Sequence, residues 1–165
     1  MATSPKSGEK TPDQQQLPAQ KAQREPQDAA YARAQDAIAT ARTSDASDLT
    51  LSGDDFSDLT ELPPDIGTLT ALTDLSLSGT QVSDISALSG LTALSGLSLL
   101  GTPVNDLSPI LPLTQLVDAP KYGGLAFRNT AAARADRRIA EIAGIQDDAK
   151  RATDLCAYLK NVTPT

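Results

Sequence analysis

LTALTDLSLSGTQVSDISALSG, residues 69–90, runs directly into LTALSGLSLLGTPVNDLSPILP, residues 91–112. Laid over one another without a gap, the two 22-residue stretches are identical at twelve positions. Leu75-x-Leu77 in the first and Leu97-x-Leu99 in the second alternate with period two, which sends both leucines of each pair to one face of a short strand. Val82, Ile85 and Leu88, then Val104, Leu107 and Ile110, return the chain along a second inward-facing line. One such unit leaves its leucines half exposed, and only a neighbouring unit stacked on it covers them. Asp58, Asp84 and Asp106 each precede a short apolar turn, where a carboxylate can accept backbone N–H bonds as a helix cap does.

The pattern extends in both directions. Upstream, DLTLSGDDFSDLTELPPDIGT begins at Asp48, and its Leu49-x-Leu51 lies 26 residues before Leu75-x-Leu77, which lies 22 before Leu97-x-Leu99. Downstream, a further copy opens at Leu113 with LTQLVDA and then decays. Self-similarity at a period of about 20–29 residues with L-x-x-L-x-L spacing is the signature of leucine-rich repeats.

LTDLSLSGTQVSDISALSG and LSGLSLLGTPVNDLSPI resemble the short, 22-residue repeats of bacterial internalin-like proteins, and TELPPDIGTLTAL resembles the L-P-x-x-I-x-x-L repeats of bacterial and plant relatives. The resemblance covers residues 47–119. It implies a curved parallel-sheet solenoid whose concave face binds protein. Such repeats usually carry an Asn that hydrogen-bonds along the stack; here Thr80 and Thr102 stand in its place. A threonine hydroxyl can make part of that ladder, so the fold is expected to survive with a less satisfied turn.

Different chemistry flanks the repeats. Residues 1–26 are rich in Pro, Gln, Lys, Ser and Thr, with Leu17 the one large apolar residue after Met1, and are read as a disordered tail. Residues 27–46 are read as a cap helix, with Asp28 as its N-cap and Tyr31, Ala34, Ile38 and Ala41 on one face. From 118 to 124 the chain reads as an exit turn. Residues 120–165 form a C-terminal helical cap: Ala135, Ile139 and Ile142, then Ala149, Ala152, Cys156 and Leu159, have helical spacing, with Gly144 separating two helices. The expected fold class is therefore α/β, a short leucine-rich-repeat solenoid of three to four parallel strands with a helical cap at each end.

Composition narrows the function. Apolar residues make up 39% of the chain but aromatics only 3%, so the core must be aliphatic. There is no histidine and one cysteine, Cys156, which removes the commonest general base and metal ligand and every multi-cysteine zinc arrangement. No cofactor and no metal are expected. Asp84 and Asp106 are spaced by one repeat, but the Gly-Gly-x-Gly-x-Asp nonapeptides of calcium-binding solenoids are missing. Cys156 beside Leu155 and Leu159 reads as a small buried hydrophobe. Arg134, Arg137 and Arg138 read as a solvated basic face, and Asn161-Val162-Thr163 as a chance glycosylation match.

Charge is unevenly placed. Residues 43–120 hold eleven acidic residues and no Lys or Arg, whereas residues 121–165 hold eight basic and five acidic ones. The acidic middle repels nucleic acid and anionic membrane, and any charged partner of it should be basic. No apolar run approaches the ~18 residues of a spanning helix, and the N-terminus lacks the apolar core of a secretory signal, so a cytoplasmic protein is expected, with non-classical export into a host cell as the alternative. The outward strand positions are the candidate partner-binding residues: Asp48, Thr50 and Ser52; Asp74, Ser76 and Ser78; Gly96, Ser98 and Leu100. The expected function is non-enzymatic protein–protein interaction, as an adaptor or a host-directed bacterial effector, by a monomer or weak homo-oligomer. The alternatives are an enzyme using Cys156 or another C-terminal activity, and a self-associating structural protein.

Overall fold

A computed structural model describes residues 18–118, 120 and 124–162, with side chains from residue 27 onward. It is a mixed α/β structure built on a four-stranded parallel sheet of order β1-β2-β3-β4. The strands are β1 (Asp48–Thr50), β2 (Asp74–Ser76), β3 (Gly96–Ser98) and β4 (Leu125–Ala126). Leu49 pairs with Leu75, Leu75 with Leu97, and Leu97 with Leu125, so the sheet keeps the leucines in register from end to end.

Each strand belongs to one coil of chain, and the coils bury the residues the periodicity selects. Leu49, Leu75, Leu97 and Leu125 form one inward column, and Leu51, Leu77, Leu99 and Phe127 form the next. Short 3₁₀ turns at Pro64–Thr68, Ser86–Leu88 and Ser108–Ile110 carry the return path, with Ile66, Leu88 and Ile110 inward. Burying one such aliphatic side chain contributes roughly 1.5–3 kcal/mol, so the columns dominate the favourable terms. The Asp84 and Asp106 carboxylates accept from the Ser86 and Ser108 N–H groups at 2.8 Å, fixing two of the turns; Asp58 forms no equivalent bond among the described residues.

Backbone hydrogen bonds run along the stack beyond the strands. Leu51, Leu77 and Leu99 donate N–H to the carbonyls of Ser76, Ser98 and Ala126 in the following coil. The chain then turns at Gly53, Gly79, Gly101 and Asn129, all with positive φ between 59° and 86°. Without a side chain, glycine enters this region without strain, and asparagine is the residue that best replaces it. Thr80 and Thr102 behave differently from the expected ladder. Their hydroxyls donate at 2.9 Å to Leu77 and Leu99 within their own coils, not to a neighbour. Among the described residues no buried side-chain nitrogen or oxygen lacks a partner, these threonine hydroxyls included.

β4 changes the expected boundaries. Continuing the 22-residue period from Leu97 and Leu99 lands on Ala119 and Lys121, which cannot fill the two leucine columns. The chain inserts the short helix α2 (Gln115–Asp118) and resumes six residues late, at Leu125-Ala126-Phe127. Residues 124–130 are thus a fourth strand and its turn, not part of a helical cap. Thr130 repeats the threonine motif, donating to the Phe127 carbonyl at 3.0 Å, and its Oγ1 also caps α3 (Ala131–Ala135) by accepting from the Ala133 N–H. Of the exit turn, Ala119 and residues 121–123 lie outside the described residues.

Helices close both ends. The first, α1 (Pro18–Thr43), begins ten residues before Asp28, which is exposed within the helix and is not its N-cap. Its opening run of Ala, Gln, Lys, Arg and Glu has high helix propensity without an apolar stripe, and Pro18 is tolerated in a first turn. Nine residues of the segment read as tail therefore have helical backbone, and residues 1–17 lie outside the described residues. Ala30, Ala34, Ile38 and Ala41 bury against the first coil, with Tyr31 half-buried beside them.

At the other end, α3 is followed by two more helices, α4 (Arg137–Ala143) and α5 (Asp148–Val162), so the region has three helices where two were expected. Asp136 makes the extra boundary by accepting from the Arg138 and Ile139 N–H groups. A 2.6 Å hydrogen bond from the Tyr158 hydroxyl holds the Asp136 carboxyl below its usual range and raises the Tyr158 phenol. Ala135 is exposed, and α5 turns Ala152, Leu155 and Leu159 inward. The edge of β4 is met by Arg151, buried to 8% exposure, which donates to the Leu125 carbonyl at 2.6 Å and the Ile145 carbonyl at 2.5 Å and pairs with Asp148.

Two substitutions test this closure. Arg151→Ala leaves buried carbonyls without a donor and should cost about 2–4 kcal/mol in urea unfolding, with Arg151→Lys recovering only part. Asn129→Gly should be nearly neutral, whereas Asn129→Val should cost about 1–2 kcal/mol because a β-branched residue is strained at positive φ. Equal stability of the two Asn129 variants would mean that the fourth coil does not turn as described.

Candidate functional site

The face of the sheet opposite the leucine columns is organised in rows by the strand register. Asp48, Asp74 and Gly96 stand side by side, followed by Thr50, Ser76, Ser98 and Ala126 in a second row. Continuing the same register by two residues gives a third row of Ser52, Ser78, Leu100 and Arg128, and the Gly101 N–H bonds the Arg128 carbonyl at 3.0 Å beside it. Asp48, Thr50, Asp74, Ser76, Ser98 and Leu100 border one open groove of about 360 Å³. Ser52 and Ser78 lie outside its lining, although both are half-buried near it.

Side chains shrink from β1 to β4 in the first two rows and grow in the third. The first row falls from aspartate at β1 and β2 to glycine at β3, and Gly124 and Ala126 extend the low floor onto β4. The hydroxyls are partly tied to one another: Ser78 and Ser98 are 2.7 Å apart, and Ser76 donates to Ser78 at 3.4 Å. Asp74 accepts the Thr73 hydroxyl at 2.7 Å, which fixes its carboxylate, while Asp48 is exposed and has no side-chain partner among the described residues. Leu100 is 41% exposed, one of two large hydrophobics left open among the described residues. The arrangement offers carboxylates at one end, hydroxyl donors and acceptors along the middle, and an apolar wall. It can bind a cationic, hydrogen-bonding chain.

The β4 contribution to this face was missed from sequence. Leu125-Ala-Phe127-Arg-Asn129-Thr130 matches Leu75-Ser-Leu77-Ser-Gly79-Thr80 and Leu97-Ser-Leu99-Leu-Gly101-Thr102 once Phe is allowed for Leu and Asn for Gly. That motif, sought without a fixed period, would have found it.

The C-terminal basic residues divide in two. Arg137 and Arg138 both pair with Glu141, at 3.0 and 3.3 Å. Arg128 donates to the Ala143 and Gly144 carbonyls at 2.9 and 3.3 Å, satisfying the end of α4, and shares with exposed Arg134 a small cavity of about 230 Å³ floored by Ala133, Ala140 and Ala143. Arg134 has no side-chain partner among the described residues. Cys156 is half-buried on α5, and desolvation raises its thiol despite the opposing charge of Lys160.

No protein-family model matches the chain, and no curated protein matches it. No helix among the described residues is long and apolar enough to cross a membrane.

The raised Cys156 thiol gives a direct expectation. Less thiolate is present at any given pH, so iodoacetamide at pH 8 should label native protein several-fold more slowly than urea-unfolded protein. Native labelling faster than unfolded labelling would identify an activated thiol.

Proposed function

We propose that this chain is a short leucine-rich-repeat solenoid that binds another protein through the open face of its sheet, without catalysing a reaction. The observation that carries the reading is the groove itself: a continuous face from β1 to β4, bordered by Asp48, Thr50, Asp74, Ser76, Ser98 and Leu100, while helices occupy both ends of the stack. The resemblance of residues 47–119 to internalin-like repeats, whose concave face binds protein, supports the same use. So does the raised Cys156 thiol, which is the wrong direction for a nucleophile.

The partner that fits is a protein segment bearing a basic patch. Asp48 and Asp74 would receive its cations, and the hydroxyl rows its backbone or polar groups. Three-residue strands are about 10 Å long and lie about 4.8 Å apart, so the sheet face covers only roughly 200 Å². A stable interface buries about 800 Å² per partner. The partner must therefore reach past the sheet onto the flanking loops and the C-terminal helices, or bind weakly. Delivery as an adaptor or as a host-directed effector fits the same surface.

A panel of fluorescent peptides, some rich in Lys and Arg and others with those positions replaced by Glu, measures this directly. The basic peptides should bind and the acidic ones should not. The double variant Asp48→Asn, Asp74→Asn should weaken the basic peptides about tenfold at physiological salt, since two exposed ion pairs contribute about 1 kcal/mol or less each. Equal binding of basic and acidic peptides, or unchanged affinity in the double variant, would remove the acidic groove from the account.

A further inference from the structure

The two edges of the sheet are finished differently. At β4 the Arg151 guanidinium donates to the Leu125 carbonyl, which points away from β3. At β1, strand alternation decides which backbone groups meet the neighbour. The Asp74 N–H bonds the Ser47 carbonyl at 3.0 Å and the Leu51 N–H bonds the Ser76 carbonyl at 2.8 Å. With Leu49 paired to Leu75, residues 47, 49 and 51 therefore turn their bonding groups to β2. The N–H and C=O groups of Asp48 and Thr50 point the other way, out of the end of the stack. Helix α1 covers the first coil through Ala30, Ala34, Ile38 and Ala41, yet among the described residues no hydrogen bond joins it to β1. Asp48 and Thr50 are exposed, and nothing among the described residues bonds their edge-facing backbone groups.

From this geometry we propose that a segment of the partner protein adds to the sheet as a further strand, antiparallel to β1, with a Lys or Arg opposite Asp48. The proposal rests on the reading of the open face as a protein-binding surface and states how the partner enters it. Antiparallel addition suits a three-residue strand, because Asp48 and Thr50 then each exchange both backbone bonds with the residue opposite. Residues opposite one another share a face, so the side chains that meet Asp48 and Thr50 emerge on the open face beside its first two rows. Asp48 selects a cation there, and Thr50 a β-branched or hydroxylic residue two positions earlier in the segment. The residue between them points to the Leu49 side, where α1 packs, and has to be small. Strand addition also answers the small area of the sheet face: backbone bonds supply affinity and the alternate side chains selectivity. A second copy is a poor occupant, because pairing β1 with β1 brings together two acidic edges and two net charges of −7.

The probe is a short Ser-rich peptide with Thr-Ala-Lys at its centre, titrated into the full chain at physiological salt and followed by fluorescence anisotropy and amide hydrogen exchange. On binding, the Asp48 and Thr50 amide protons should slow about tenfold or more. The Leu51 amide, already bonded to Ser76, should change little. N-methylation of the peptide's Thr or Lys, whose N–H groups face β1, should weaken binding about tenfold or more. N-methylation of the central Ala, whose N–H faces away, should leave binding nearly unchanged. Asp48→Lys, with a melting curve matching wild type, should prefer the peptide carrying Glu in place of its Lys. Binding that ignores which amide is methylated, or that leaves the Asp48 and Thr50 amides fast, overturns strand addition and leaves the protein-binding reading standing. Failure of every basic peptide to bind overturns both. Slowing of these two amides with protein concentration alone would assign the edge to a second copy and overturn the basic segment.

Discussion

A coil of chain with a three-residue strand cannot cover its own leucines, and this constraint organises the molecule. Leu75 and Leu77 are dry only because Leu49 and Leu51 lie on one side and Leu97 and Leu99 on the other. Stacking moves the problem outward to the two ends without solving it there. At the first coil the solution is the Ala30–Ala34–Ile38–Ala41 stripe of α1, whose small residues let the helix lie close. At the last coil it is polar as well as apolar: α5 supplies Ala152, Leu155 and Leu159, and Arg151 reaches the strand-edge carbonyl of Leu125. A sheet edge left bare would be a template for aggregation.

The same stacking determines what is left for function. Inward columns must be apolar, and the return path is occupied by 3₁₀ turns. The sheet face opposite the columns is where the register lets side chains vary without disturbing the stack, and there the sequence changes from Asp48 and Thr50 to Gly96 and Ser98. Small hydroxylic residues give hydrogen-bonding capacity with little ordering cost, but no aromatic anchor of the kind that dominates tight interfaces. Recognition by this face therefore depends on charge and on contacts beyond the sheet.

Much of this was legible in the sequence because a period repeats the same physical demand at each coil. The three strands around Leu49, Leu75 and Leu97, both leucine columns and the aspartate-capped turns at 84 and 106 follow from spacing, although each strand pairs over three residues and not the five outward and inward positions that alternation suggests. The fourth strand does not, because α2 displaces it by six residues and Phe127 and Asn129 replace the usual Leu and Gly. The start of α1 was hidden for another reason: from Ala19 to Glu25 helix propensity acts without an apolar stripe, which amphipathic periodicity does not register, and Pro26 inside the helix reads as a stop. Thr80 and Thr102 are readable as turn residues, but their choice of an own-coil carbonyl depends on three-dimensional distances. At the candidate site the β1, β2 and β3 members of all three rows were readable from strand alternation, while Gly124, Ala126 and Arg128 depend on the hidden strand.

That the open sheet face is where a protein partner docks is tested most directly by backbone amide chemical-shift mapping during titration with a Lys- and Arg-rich peptide. Shifts should centre on Asp48, Thr50, Asp74, Ser76, Ser98 and Leu100, with the amides of buried Leu75 and Leu97 moving little. Shifts concentrated instead on α1 or on the outer side of α5, with the strand residues unmoved, would contradict it.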